Sequence, residues 1–472
     1  MASAGLWMLL ALGALTVWSG LPVWALLVGV ASAFSALGLA TGSFDAAVLS
    51  AVPGRLINLL EHDLLQAMPL YVFIGVLLQR LPLGDALFAC ARRLFARTGA
   101  GASLSGLAVG ALVAPMNGSV AASSALLSRL VAPRLRSMPP RRAITLVSAA
   151  ATIGVVVPPS LVLILLGDAM LRAHTEASQL PGYAQGAQRI VNTQDVLHAA
   201  LLPALAVLLL WAAIAWFEGR GADTAREPVP RRQWLMSGAA VGVIVLLLAG
   251  VFTGRLFAVE AAAAGGCVMA TAALLTRSLS ARAWGQVLDE TLAISGALFA
   301  LLVGATTFSL VFRLFGTDRW LADAVLGSPW PPMATAALVL LATAACAWVL
   351  DAFEMIFVII PIVAPMLVVQ LGDAQQVAVL LLLVLQISFL LPPMGYAVLI
   401  ARSQSGLPRV DARALLPALA PFATAQLLVV ASVFAVPGLV HLLDEPAPAA
   451  SKMPPASDEE VERQMREMSP VE

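Results

Sequence analysis

Residues 149–167 read AAATIGVVVPPSLVLILLG, and how this stretch meets a membrane decides the fold. It is apolar enough to span a bilayer, yet Pro158 and Pro159 stand side by side within it and Ser160 follows. Each proline lacks an amide N–H and clashes with the carbonyl four residues back, so an α-helix cannot run through the pair undisturbed. The residue before each is pushed toward extended geometry. In hydrocarbon, broken backbone persists only where it is buried in protein or lines a polar cavity. A break at mid-depth leaves helix termini and unspent carbonyls there, the means by which secondary transporters hold anions and cations. One Pro-Pro reads equally well as a kink. The motif recurs, however: Phe389 to Ala401 is FLLPPMGYAVLIA, with Pro392 and Pro393 in a run just as apolar. Two such breaks favour a transport site.

Composition fixes the class. Of 472 residues, 60% are hydrophobic and 11% charged, against about a quarter charged in soluble domains. The chain is therefore an all-α polytopic membrane protein. Its net charge is zero and it has no long basic run, so nothing points to nucleic acid. Cys90, Cys267 and Cys346 lie alone in apolar surroundings without metal-ligand spacing, and are read as buried thiols. The four histidines are scattered and form no HExxH or Cys pairing. No Ser/His or His/Glu arrangement of useful spacing supports an enzyme, and no ring-forming filter motif supports a channel. Met1 to Ala40 begins without a basic n-region and reads as retained membrane segments.

Apolar runs of spanning length lie at about 5–19, 21–40, 64–81, 142–167, 196–217, 234–253, 257–276, 287–315, 376–400 and 413–440. Two further regions, about 99–133 and 332–368, each hold two short arms around a polar interruption. These interruptions are Asn117-Gly118-Ser119 and Asp351 to Glu354. Arms this short suit re-entrant hairpins; two ordinary crossings apiece remain the alternative. The expectation is about 10–12 transmembrane helices plus two re-entrant hairpins. Seventeen arginines fall on the loops of the face from which the first hairpin opens, against five or six opposite, which makes that face cytoplasmic.

The two halves are related. Val131-Ala132-Pro133 recurs as Val363-Ala364-Pro365, 232 residues on, and Pro158-Pro159 recurs as Pro392-Pro393, 234 residues on. Hairpin, VAP, loop and broken span appear twice in one order, and the arginine bias places the hairpins on opposite faces. Inverted repeats with broken helices mark secondary transporters. Residues 1–63 then read as N-terminal scaffold, 64–195 as the first transport repeat, 196–286 as scaffold and 287–440 as the second repeat. Within the first repeat, 172–195 reads as a polar external insertion. Residues 441–472 read as an acidic, Pro/Ala-rich tail, disordered or briefly helical.

Ionisable groups within spans are functional candidates because burying them is costly. Asp351 and Glu354 qualify at the second tip; Glu260, Glu290 and Asp168 lie near span ends. Asn117, Gly118, Ser119, Ser123, Ser124 and Ser160 offer hard oxygen donors suited to a small cation, although Asn-Gly turns and serine back-bonding have structural uses of their own. No relay of carboxylates and histidines is present, so sodium coupling is favoured over proton coupling.

With these residues in view, APMNGSVAASSALLSRLVAP (114–133) and ATIGVVVPPSLVLILLGDAM (151–170) resemble the large membrane subunit of tripartite ATP-independent periplasmic (TRAP) transporters. The second half is similar too, with Asp351, IIPIVAP (359–365) and LLPPMGY (390–396). The resemblance covers roughly residues 20 to 440. It implies a sodium-driven, elevator-type importer of the bacterial inner membrane. It also implies a small four-helix membrane subunit and a periplasmic binding protein that delivers a carboxylate-bearing solute. No cofactor is implied beyond the coupling sodium. Carried onto this chain, the ion site comprises Asn117, Gly118, Ser119, Ser123, Pro158, Asp351, Leu391, Pro392 and Gly395. The solute would meet Ser160, Pro159, Pro393 and Met394. A stand-alone sodium–dicarboxylate symporter of similar hairpin architecture is the alternative. Two departures stand out: Leu391 replaces the threonine usual before the second Pro-Pro, and Leu166 replaces a frequent tyrosine.

Overall fold

A computed structural model describes residues 3–61, 63–115, 119–158, 160–183, 191–221, 228–391 and 395–444. The N-terminal part consists of α1 (Ala4–Ser19), α2 (Val23–Ala40), the short α3 (Ala46–Leu49) and α4 (Ala51–Leu60). Next come α5 (Asp63–Arg80), α6 (Leu83–Phe95), α7 (Gly101–Val113), α8 (Val120–Leu130), α9 (Pro140–Thr152) and α10 (Leu161–Ala177). The middle of the chain is α11 (Thr193–Gly219), α12 (Arg231–Phe252), α13 (Ala258–Leu275) and α14 (Ala281–Leu314). The second half continues with α15 (Thr317–Leu326), α16 (Pro332–Cys346) and α17 (Ala352–Glu354), then a π-helical turn (Met355–Ile359) and α18 (Ile360–Leu371). It closes with α19 (Ala374–Ser388), α20 (Tyr396–Gln404) and α21 (Ala412–Ala435).

Burial follows the breaks. All of α19 is buried, as are most of α9 and α10, whereas α12 buries only Ser237 and Val251. The broken helices thus form the centre, and long unbroken helices surround them and face lipid. Among the described residues, six helices are long and apolar enough to cross a membrane singly. A seventh candidate is the pair formed by α5 and α6, bent by 70°. One of the six is the run Ala352–Leu371, the outgoing arm of the expected second hairpin, and the remaining apolar helices run 10–17 residues.

Several expected boundaries move. The run read as one span at 142–167 is α9 and α10, and α10 continues to Ala177. The segment from Arg172 is therefore helical before the insertion begins; Arg172 Nη2 reaches Asp168 Oδ2 one turn back at 2.6 Å, so the charges that end the apolar run pair along the helix and add roughly a few tenths of a kcal/mol to it. The span expected at 287–315 begins at Ala281 and has 34 residues, roughly 50 Å of helix. Likewise 376–400 resolves into α19 and α20, and 413–440 ends as a helix at Ala435. The expected tail beyond Asp444 lies outside the described residues.

Side-chain bonds pin the centre to its wall. Gln376 Nε2 donates to Val433 O at 2.9 Å, Gln426 Nε2 to Gln386 Oε1 at 2.8 Å, and Trp211 Nε1 to Phe422 O at 3.0 Å. Where water is scarce such bonds fix helix register, since an unmade one leaves a polar group in hydrocarbon. At the turn between α18 and α19, Gly372 takes φ 72°, open to a residue without Cβ. Asp373 then caps α19, accepting from Gln375 N at 3.0 Å and Gln376 N at 3.1 Å.

Candidate functional site

Four interruptions lie in the centre: the tip between α7 and α8, the break between α9 and α10, the tip between α16 and α17, and the break between α19 and α20. Each ends in the N-cap of an outgoing helix, namely Ser119, Ser160, Asp351 and Gly395. Four helix N-termini, each with unspent N–H groups and a positive partial charge, therefore start at the interruptions.

These interruptions touch in a chain. The first break meets the first tip through backbone. A Cβ on Gly154 would stand 2.5 Å from the carbonyl carbon of Ala114, so only glycine fits there. One turn earlier, a Cβ on Gly110 of α7 would lie 2.6 Å from Ala150 O. Ser123 Oγ donates to the same Ala114 carbonyl oxygen at 3.1 Å, tying α8 to the end of α7. The first tip meets the second where Ser119 Oγ lies 3.5 Å from Asp351 Oδ2, the outer limit of a hydrogen bond. The second tip meets the second break where Tyr396 Oη donates to Val349 O at 3.0 Å. The two broken helices also approach each other directly, with Ser148 Oγ 3.4 Å from Ala397 O.

Ser119 and Asp351 are 232 residues apart, the same offset that relates the two Val-Ala-Pro triplets. They hold matching places in the two repeats expected from the sequence. The approximate symmetry legible in the sequence thus brings its two polar tips face to face.

The oxygens there are largely unspent. Neither Ser119 nor Ser160 uses its hydroxyl to cap its own helix. Ser160 Oγ and Asp351 Oδ1 are buried and have no hydrogen-bond partner among the described residues. Such atoms are costly unless something else satisfies them. Asp351 and Glu354 form a reciprocal capping box, Glu354 Oε2 accepting from Asp351 N at 2.9 Å. Glu354 is thereby committed to shaping the tip, while Asp351 keeps an oxygen free. A π-helical turn follows at once, a distortion frequent at functional sites.

The other expected site residues divide. Leu391 is half-buried, and its carbonyl accepts from Gly395 N at 3.0 Å. Gly395 is required by space, since a Cβ there would lie 2.8 Å from both Leu391 O and Phe389 O. Pro158 lines an apolar cavity of about 210 Å³ against α11 and α12, so any contact it makes with an ion falls to its backbone. Asn117, Gly118, Pro159, Pro392, Pro393 and Met394 lie outside the described residues. Sequence reasoning missed Gly110 and Tyr396. A helical glycine and a tyrosine in an apolar run carry no signal of their own, although Tyr396 does stand within the quoted LLPPMGY.

Known proteins agree with this architecture. A crystal structure of the Alcanivorax borkumensis YdaH transporter, described as having an unusual topology, superposes with a TM-score of 0.59 at 17% identity, covering 91% of this chain and 98% of that one. The chain is 24% identical over 440 residues to the sialic acid TRAP transporter large permease protein SiaM of Vibrio cholerae, covering 90% of this chain and 95% of that protein. It is 25% identical over 373 residues to the C4-dicarboxylate TRAP transporter large permease protein DctM of Pseudomonas aeruginosa, covering 75% and 80% respectively. The sequence pattern of the DctM component of tripartite ATP-independent periplasmic transporters matches residues 6–439. The chain is thus a multi-pass protein of the inner membrane and a transporter component rather than an enzyme: it belongs to the DctM family of TRAP transporter large permeases.

Proposed function

We propose that this chain is the conducting subunit of a sodium-coupled importer for a small carboxylate anion. It works with a small four-helix membrane subunit and receives its solute from a periplasmic binding protein. The observation that carries this reading is the meeting of Ser119 with Asp351 at a spacing of 232 residues. A carboxylate, a hydroxyl and exposed carbonyls are hard oxygen donors of the kind sodium takes. The unpartnered Asp351 Oδ1 supplies a ligand without breaking any bond the described residues make, and the unpartnered Ser160 Oγ is left for the solute. Among the remaining expected residues, Asn117, Gly118, Ser123, Leu391, Pro392 and Gly395 complete the ion site around the tips. Ser160, Pro159, Pro393 and Met394 face the solute, whose carboxylate is held by the helix N-termini at the breaks. Sialic acid and C4-dicarboxylates, the solutes of the relatives, both carry such a group.

Transport proceeds by alternating access. The repeats 64–195 and 287–440 move as a body against the scaffold, the tip at Ser119 gating one face and the tip at Asp351 the other, each arm pair entering and leaving the membrane on its own side. Reconstitution tests the reading. The chain is placed in proteoliposomes with the small membrane protein and the binding protein from its gene neighbourhood. Carboxylate uptake should require both partners and an inward sodium gradient. Uptake indifferent to sodium would remove the coupling, and full uptake by the chain alone would favour a stand-alone symporter. For the gates, cysteines at positions 119 and 351 should be labelled from opposite faces, with sodium shifting the two accessibilities in opposite senses. Labelling of both from one face in every condition would remove the alternating arrangement.

A further inference from the structure

Above the second tip lies a cavity of about 420 Å³ between α4, α10, α14 and the start of α18. It shares Glu176, Ser309, Arg313 and Pro361 with a second cavity of about 870 Å³. Its floor is Ile356 and Phe357, on the π-helical turn that follows Asp351. Its walls carry three guanidinium groups, Arg55, Arg172 and Arg313, against two carboxylates, Asp168 and Glu176. The pairing is uneven. Arg172 Nη2 holds Asp168 Oδ2 at 2.6 Å within α10, and Arg313 Nη2 of α14 reaches across to Glu176 Oε1 of α10 at 2.5 Å. Arg55 makes no ion pair among the described residues. Among the described residues that line it, guanidinium groups outnumber carboxylates by one, in a space of ordinary small-ligand size.

We infer that this cavity is an antechamber for the solute anion: its carboxylate binds Arg55 first, then competes with Asp168 and Glu176 for Arg172 and Arg313 before reaching the tips. Guanidinium groups suit this exchange because their forked donors accept one carboxylate as readily as another. The competition has a mechanical consequence. The Arg313–Glu176 pair spans α14 and α10, so an anion that takes Arg313 also unties α10 from α14. The inference rests on the proposed carboxylate import, but it can fail separately from it.

The test reads the cavity directly. In a chain whose Cys90, Cys267 and Cys346 are replaced by serine, Ser309→Cys places one thiol where the two cavities join. Its modification by anionic 2-sulfonatoethyl methanethiosulfonate is compared with that by cationic 2-(trimethylammonium)ethyl methanethiosulfonate, each relative to 2-mercaptoethanol in solution. The anionic reagent should be favoured. Arg55→Gln combined with Arg172→Gln should cut that preference about tenfold, the scale on which a charged cleft concentrates an ion. Glu176→Gln, which releases Arg313, should raise it. Succinate, malate or N-acetylneuraminate should slow the anionic reagent beyond chloride at equal ionic strength. Equal preference with and without the arginines, absence of reaction with either reagent, or no protection by any of the three carboxylates would overturn the antechamber. None of these readings needs sodium or transport, so a failed uptake assay leaves them interpretable.

Discussion

The two repeats build the same joint from different materials. In the first, break and tip meet as bare backbone, with Gly154 on Ala114 and Gly110 on Ala150, and no side chain fits between them. In the second, α16 and α19 pack through side chains, with no glycine in either helix, and Tyr396 Oη adds a hydrogen bond to the Val349 carbonyl at 3.0 Å. Their chemistry differs as well. The first tip presents a neutral hydroxyl at Ser119, and the second a carboxylate at Asp351, 232 residues on. On the proposed reading, what the repeats share supplies the framework, and their differences supply the function. A close-packed joint moves as a unit, because packed backbone is not continuously deformable. Side-chain packing with a hydrogen bond at its end has more room to adjust. The first repeat reads as the rigid partner and the second as the one that carries charge and yields.

This contrast is breakable. The largest effect should come from Asp351→Asn, which makes the tips alike in charge. Losing a charged ligand should weaken the apparent sodium affinity of uptake roughly 10- to 100-fold, against only about 2- to 10-fold for Ser119→Ala, a neutral hydroxyl. Sodium titrations of uptake give both numbers, and equal losses would erase the distinction between the tips.

Next come the joints. Gly154→Ala forces a methyl group against the Ala114 backbone and should cost about 1–3 kcal/mol in thermal unfolding of the detergent-purified protein. Tyr396→Phe gives up one hydrogen bond and should cost about 1 kcal/mol. If the tyrosine change proved the more damaging, the first repeat would not be the rigid one.

A smaller effect belongs to the second half and depends on pH. His441 lies 2.7 Å from Asp373 Oδ2 and 2.8 Å from Asp444 Oδ2, joining the start of α19 to the segment after α21. Burial pulls its pKa down, but hydrogen bonds and charge from Asp444 and Asp373 together hold it above the ordinary imidazole value. A raised folded-state pKa means that the stabilisation is complete below the unfolded value and is lost as pH rises through the folded one. Melting temperatures of the wild type and His441→Gln should therefore differ most near pH 6 and converge by about pH 9. A gap that widened with pH would reverse the assignment.

The smallest expected change restores the family's usual residue before the second Pro-Pro. Leu391→Thr, returning a hydroxyl beside the second break, should raise sodium affinity a few-fold, roughly the worth of one neutral hydrogen bond. Unaltered or weaker affinity would place residue 391 away from the ion.

What the sequence makes legible here is whatever leaves a local mark. Paired prolines announce the breaks, apolar arms around Asn117-Gly118-Ser119 and Asp351 announce the tips, and repeated triplets announce that the halves correspond. The juxtaposition of Ser119 with Asp351 was implicit in the shared offset but needed the fold to bring the two together. Contacts made only by packing left no mark. Gly110 is one small residue among many in α7, and Arg313 became informative only when Glu176, 137 residues away, was found beside it. The end of α10 leaves no mark in hydropathy either. Hydropathy falls at Gly167, but the helix runs on to Ala177, with Asp168 and Arg172 paired one turn apart along it.

The central claim is that the two tips form one sodium site, and a double-mutant cycle on sodium binding tests it most directly. Saturable binding of radioactive sodium to the purified chain is measured for the wild type, Ser119→Ala, Asp351→Asn and the double variant. Residues sharing one ion should be non-additive, so the double variant should bind sodium little worse than Asp351→Asn alone, a coupling equal to the whole Ser119→Ala loss, roughly 0.4–1.4 kcal/mol. Losses that simply add would mean that Ser119 and Asp351 serve separate sites, and unchanged binding in all three variants would mean that the ion sits elsewhere.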